Sequence, residues 1–180
     1  SDYQIIMVIG IDSARNIYVI DYLREHLPLY DMPEQIMEYA KEFSPVKRVN
    51  VEHVGAQGII KDAVNVMSAK ERKVAPGIAL GVRPPSGIKK EDRLESLLAP
   101  IVNRGKMFIK RSHTSLVDEM FQFPKGKNDD VLDGLWYAIN KSRPPVSKKF
   151  NAVDFHEHRE AKPFRAKTKR VISWVTGQKT

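Results

Sequence analysis

Strand-like and helix-like segments alternate along the 180 residues of the chain, and this alternation predicts an α/β domain with a mixed sheet. Composition agrees: 42% of residues are hydrophobic and 29% charged, while Gly and Pro number only 10 and 11, which excludes collagen-like, low-complexity and wholly disordered chains. The length suits one domain with a real core and is marginal for two. Cys is absent, so a disulfide framework, a thiolate zinc site and a cysteine nucleophile are excluded. No apolar run approaches the ~20 residues of a membrane span, and no membrane partner is expected. The opening Ser1-Asp2-Tyr3-Gln4 has neither an initiator Met nor a basic n-region, so the expectation is a piece of something longer, without a signal peptide.

Tyr3 to Gly10 is a β-branched apolar run, Ile11 to Asn16 carries turn residues, and Ile17 to Leu23 is a second run; together they predict a β-hairpin. Met32-Pro33-Glu34 opens a helix, with Ile36, Met37, Tyr39, Ala40 and Phe43 as its stripe and Pro45 as its limit. Val46 to Val51 predicts a short strand that terminates at Glu52. A helix from Gln57 to Ser68 and a strand near Gly77 to Val82 follow, then a loop at Arg83-Pro84-Pro85-Ser86-Gly87. Lys90 to Asn103 reads as helical in its first part at least, with Leu94, Leu97, Leu98 and Ile101 on one face, and Lys106 to Ile109 returns as a strand. Thr114 to Phe121 predicts a helix and Phe123 to Lys127 a loop. Asn128 is the expected cap of a last helix running to about Asn140, striped by Val131, Leu132, Leu135, Trp136 and Ile139.

Charge divides the chain. Residues 1–140 hold 19 Lys/Arg and 19 Asp/Glu, whereas residues 141–180 hold 11 and 3, so the whole net charge of +8 lies in the last segment. The expected organisation is therefore a core over 1–143 and a basic C-terminal tail over 144–180, divided at Pro144-Pro145. Such tails either seek polyanions or are simply solvated.

The chemistry-bearing residues are acids at element ends. Asp129 and Asp130 stand in the first turn of the last helix and Asp133 three or four residues on, so at least two of the three share a face. Acids there are favoured by the helix dipole and by capping, which needs no ligand. The other reading adds Glu52: a carboxylate from a strand end facing a helix-borne pair makes an all-oxygen site suited to Mg²⁺ or Mn²⁺. Two such ions about 3.5–4 Å apart serve phosphodiester cleavage.

At these residues the chain resembles a known family. Phe123-Pro124-Lys125-Gly126-Lys127-Asn128-Asp129-Asp130-Val131-Leu132-Asp133-Gly134 is similar to the nuclease signature of tailed-bacteriophage terminase large subunits, a Lys-Gly-x-x-Asp-Asp-x-x-Asp run. Ser1-Asp2-Tyr3 before the hairpin, Val51-Glu52 before Gly55-Ala56-Gln57, and Lys89-Lys90-Glu91-Asp92-Arg93 before Gly105-Lys106 occur in the family's order, so the likeness covers roughly residues 1 to 140. The resemblance implies an RNase H-like mixed sheet flanked by helices and metal-dependent cleavage of double-stranded DNA during viral genome packaging, with two Mg²⁺ or Mn²⁺ ions. It implies catalytic roles for Glu52, Asp129 and Asp130, metal contacts from these residues, Asp133 and Asp2, an ATPase domain upstream, portal or small terminase subunit as further partners, and action in the host cytoplasm. No Gly-x-x-x-x-Gly-Lys-Ser/Thr run occurs, so the motor is not expected in this chain.

One departure stands out. RNase H-like nucleases draw a first catalytic Asp from a strand that leads into two more before the first helix, and only two strands precede the helix here; the expectation is that the strand and its Asp lie upstream of Ser1. Asp12 imitates that Asp in sequence, but the hairpin puts it in a turn far from Glu52. His53 alternates to the opposite sheet face from Glu52 and reads as structural. Lys125 and Lys127, and less strongly Arg83, Lys89 and Lys90 around the Pro-Pro loop, are candidate contacts to DNA phosphates, with ordinary basic loops as the alternative. His156-Glu157-His158 lacks a further ligand nearby. Two competing classes remain: another RNase H-like enzyme such as a resolvase or transposase core, and a non-catalytic docking module in which Phe150, Phe155, Phe164, Ile172, Trp174 and Val175 of the tail meet an acidic partner.

Overall fold

A computed structural model of the chain describes residues 3–55, 58–145 and, as backbone, 169–176. Among the described residues, five α-helices, a 3-10 turn (Leu29–Asp31) and a six-stranded mixed sheet form: β1 (Gln4–Ile11), β2 (Ile17–Glu25), α1 (Met32–Glu42), β3 (Val46–Glu52), α2 (Gly58–Ser68), β4 (Ala79–Val82), α3 (Lys90–Asn103), β5 (Met107–Phe108), α4 (Thr114–Gln122), α5 (Asp130–Ile139) and β6 (Lys169–Thr176). The first ten strands and helices are those expected from the periodicity. The α/β class with a mixed sheet is what the alternation predicted.

The sheet runs β4-β3-β6-β1-β2-β5. Strand β1 is antiparallel to both β2 and β6, whereas β6, β3 and β4 are parallel. All of β1 is buried because helices cover both of its faces. Ile5, Met7 and Ile9 pack with Leu94 and Leu98 of α3, Leu116 of α4 and the apolar residues of α5, while Ile6 and Val8 face Ile36 and Met37 of α1 and Ile60 and Val64 of α2. The alternation of a strand thus sorts one continuous apolar run into two cores.

Strand β6 lies in the stretch that the charge distribution assigned to an appendage. Its Val-Ile-Ser-Trp-Val sequence has strand propensity, but nothing local announces that it inserts between β1 and β3, a pairing over more than 100 residues of chain. The register sets Gln4 opposite Thr176 and Val51 opposite Trp174, so the start of β1 and the ends of β3 and β6 share one end of the sheet. Ile11 opposite Lys169 and Val46 opposite Arg170 mark the other end.

Helix α5 crosses β1, β3 and β6. Alternate residues of β3 fasten it: the Arg48 guanidinium donates to the Lys141 carbonyl, the buried Asn50 amide to the carbonyls of Tyr137 (2.8 Å) and Asn140 (2.9 Å), and Glu52 receives the Tyr137 hydroxyl (3.2 Å). Two of the carbonyls at the helix C-terminus, which lack intrahelical partners, are thereby satisfied. The same contacts hold Glu52 against α5.

Candidate functional site

Glu52 is the last residue of β3, half-buried, on the face that α5 covers. The Tyr137 phenol that donates to it is held in its protonated form, its pKa driven upward by burial first and then by the charges of Glu52 and Asp133. One turn along α5, Asp133 is buried with only 4% exposure. Burial raises its carboxyl to about 6; Lys90 and Arg93 hold it down, while Glu52 and Asp129 push it up. The Arg93 guanidinium lies 2.7 Å from Asp133 in a charge contact without hydrogen-bond alignment and 4.6 Å from the centre of the Trp136 ring. Lys90 Nζ sits 2.7 Å from Asp129 and 3.4 Å from Asp133. Burial disfavours the charged amine, but Asp133 and Asp129, with Asp130 beyond, raise its pKa above the ordinary value.

Helix α5 is capped from outside. Asp129 is its N-cap residue and makes no side-chain cap bond. The backbone N–H groups of Val131 and Leu132 both donate to one carboxylate oxygen of Glu119, each at 2.9 Å. Glu119 reaches them from α4, is 5% exposed, and has its carboxyl raised to about 7, chiefly by burial and further by Asp130 against the opposing pull of the two N–H groups and Arg24. This corrects the sequence expectation that Asn128 caps the helix, and it removes capping of these N–H groups as the reason for the acids at 129 and 130. Asp130, the first residue of α5, is buried at 7% exposure.

Glu52, Asp129, Asp130 and Asp133 are therefore gathered at one end of the sheet, with Lys90 and Arg93 as their counter-charges. Four carboxylates against two cations leave an excess of negative charge that favours a cation. The donors are all carboxylate oxygen, the chemistry that suits Mg²⁺ or Mn²⁺. Among the described residues, no three His, Asp or Glu side chains are arranged as a metal centre, and the Lys90 ammonium is the cation nearest Asp129.

Other predicted residues fall as follows. Lys125 and Lys127 are exposed in the link before α5, and Arg83 and Lys89 are exposed between β4 and α3, at the acid end of the parallel strands. Asp2, the His156-Glu157-His158 stretch, and Phe150, Phe155 and Phe164 lie outside the described residues, as do the side chains of Ile172, Trp174 and Val175. Asp12 stays in the β1–β2 turn, where it accepts the backbone N–H and side-chain amide of Asn16 (2.8 Å each) and the Tyr18 hydroxyl (3.2 Å). Burial opposes its charge, but these donors prevail and lower its pKa. His53 packs on the other sheet face against two glycines: a Cβ on Gly58 would come 2.8 Å from its ring and one on Gly81 3.1 Å from its side chain.

Sequence reasoning missed Glu119, Arg93, Asn50 and the Tyr137 hydroxyl as parts of this arrangement, and it read Lys90 as a candidate phosphate contact, whereas its ammonium is turned to Asp129 and Asp133. Glu119 had a signal, a charged residue three positions after Leu116 on the apolar face of a helix, where burial requires a partner. Among the described residues, two surface grooves have none of these four acids in their walls: one of about 270 Å³ is lined by Leu94, Leu98, Met120, Phe123 and Leu132, and one of about 690 Å³ lies near the β1–β2 turn. No protein-family model, curated protein or solved structure matches the chain.

Proposed function

We propose that the chain is a metal-dependent endonuclease of the RNase H-like class that cleaves double-stranded DNA, the nuclease part of a tailed-bacteriophage terminase large subunit. The observation that carries the reading is the grouping of Glu52 with Asp129, Asp130 and Asp133, while the N–H groups of Val131 and Leu132 are capped by Glu119 and not by these acids. The sheet supports it as well. A strand preceding β1 in an RNase H-like fold would be its antiparallel neighbour, and such a neighbour exists between β1 and β3, formed here by β6.

In this reading Glu52, Asp129 and Asp130 would hold divalent ions, with Asp133 behind them, and ions held there would supply the Lewis acidity that phosphodiester hydrolysis by water needs. Binding them competes with Lys90 for Asp129. Lys125, Lys127, Arg83 and Lys89, exposed around the acids, contact phosphates without reading bases, so binding weakens steeply with salt. The ATPase domain, portal and small subunit are its proposed partners in the host cytoplasm. Residues 169–176 contain no Asp or Glu, so β6 supplies no first-strand acid, and a low rate is expected unless another carboxylate joins Glu52.

The test is nicking and linearisation of supercoiled plasmid with Mn²⁺, Mg²⁺ or EDTA. Cutting that requires the metal and is abolished in Glu52→Ala and Asp130→Ala, both still folded, is the expected result; wild-type rates in either variant overturn the assignment. The close Lys90–Asp129 contact favours a second reading, a non-catalytic module in which Lys90 occupies the place a metal would take beside Asp129. That module would give no thermal shift with Mn²⁺, whereas the nuclease is stabilised by the ion and loses the shift in Asp130→Ala.

A further inference from the structure

At the end of the sheet away from the acids, the β1–β2 turn, the end of α3 and the segment after α5 enclose a groove of about 690 Å³. Helix α5 separates the two regions: from Asp130 at the acids to Ile139 in the groove wall its axis rises roughly 13 Å. The floor is apolar, made by Ile11, Ile17, Ile101 and Ile139. The rim is basic, with Arg15, Arg104 and Arg143 exposed and Lys106 half-buried, its ammonium donating to the Ala14 carbonyl at 2.6 Å. None of the described residues lining the groove is acidic. A concentration of one sign of charge over an apolar floor repels itself unless an anionic partner answers it.

We propose that this groove docks an acidic peptide segment with aliphatic anchors, contributed by a partner protein. Aliphatic side chains fit the isoleucine floor, and carboxylates answer the arginine rim. In an extended segment the two kinds of side chain alternate, so that one set can meet the floor while the other stays at the level of the basic rim. A nucleic acid fits less well. Among the lining residues no aromatic ring offers a stacking surface to a single strand, and a duplex has little to set against four isoleucines.

The experiment titrates the full chain with a fluorescein-labelled peptide of alternating Glu and Leu and reads fluorescence anisotropy at low and physiological salt. Saturable binding is expected, weaker at higher salt and weakened by about tenfold or more in Arg104→Glu combined with Arg143→Glu. Both arginines are exposed, so the double variant keeps its thermal transition, and Ile101→Asp provides a second loss of binding through the floor. Absence of binding to the wild-type chain overturns the proposal, as does equal affinity of wild type and both variants. A labelled mixed-sequence oligonucleotide that binds more tightly than the peptide and is lost in the same arginine variant overturns it in favour of nucleic acid. These readouts involve none of the acids at the other end of α5, so their failure is distinct from failure of the nuclease reading.

Discussion

Glu119 commits one carboxylate oxygen to two backbone N–H groups at the start of α5, yet its carboxyl is raised to about 7 because burial and the neighbouring Asp130 outweigh those bonds. The sign of the consequence follows from linkage. The folded state holds this proton more tightly than the unfolded chain, where the group titrates near 4.5, so raising the pH from about 4.5 to 7 removes stability. The upper bound for that loss is about 3 kcal/mol. Glu119→Gln keeps an oxygen for the two N–H groups and has no charge to bury. Urea unfolding of the variant from pH 4.5 to 7.5 is therefore expected to give a flatter profile than wild type and equal or greater stability at pH 7.5. Asp133, raised to about 6, leaves part of the slope in place, lost between roughly pH 4 and 6 by the same sign. Parallel profiles for variant and wild type would show that folding leaves the Glu119 carboxyl at its ordinary value.

At the scale of elements, β3 and α5 form a unit joined by polar contacts rather than by apolar packing alone. The Asn50 amide is fully buried and donates to carbonyls at the C-terminus of α5. Asn50→Ala leaves those carbonyls buried without that donor, at a cost of about 1–3 kcal/mol, measurable as a lower urea midpoint with an unchanged slope. Because Asn50 and Glu52 lie on one face of one strand, the same variant should loosen Glu52 from Tyr137 and weaken any Mn²⁺-induced thermal shift. Asn50→Asp would be worse, since its charge lacks the donors that Asn50 brings to the carbonyls. Periodicity was enough to read these elements: the stripe Val131, Leu132, Leu135, Trp136 and Ile139 marks α5, and the β-branched apolar run of β1 marks a strand. Patterns of that kind report which face is buried, not what it meets. The pairing of Asn50 with a helix end more than 80 residues later, and the capping of α5 by a glutamate from α4, depend on tertiary approach, so the local sequence could place Asp129 and Asp130 on a first turn but not say that Glu119 caps it.

For the whole molecule, β6 decides what kind of object the chain is. Division of charge marked residues 144–180 as a basic tail outside the core, whereas β6 pairs with β1 along all eight of its residues and joins β1 to β3. The charge count was right about where the basic residues are, but net charge says nothing about backbone pairing, and the strand is short beside its basic flanks. Ending the chain at Pro145 would expose two long apolar edges, β1 and β3, in the middle of the sheet, and such edges associate rather than remain solvated. Loss of the cooperative thermal transition seen by circular dichroism, together with aggregation on size exclusion, is therefore expected for a chain of residues 1–145. A synthetic peptide spanning residues 169–176, added in trans, would enter parallel to β3 and antiparallel to β1 and restore the transition, since strand addition to open edges draws on the same main-chain hydrogen bonds. A truncated chain that melts like the full one would mean that β6 is dispensable and that the sheet closes without it. A truncated chain that recovers with a peptide carrying an Asp in place of one residue of β6, and gains metal-dependent cutting as it does so, would tie the empty acid position of that strand directly to the Glu52 site.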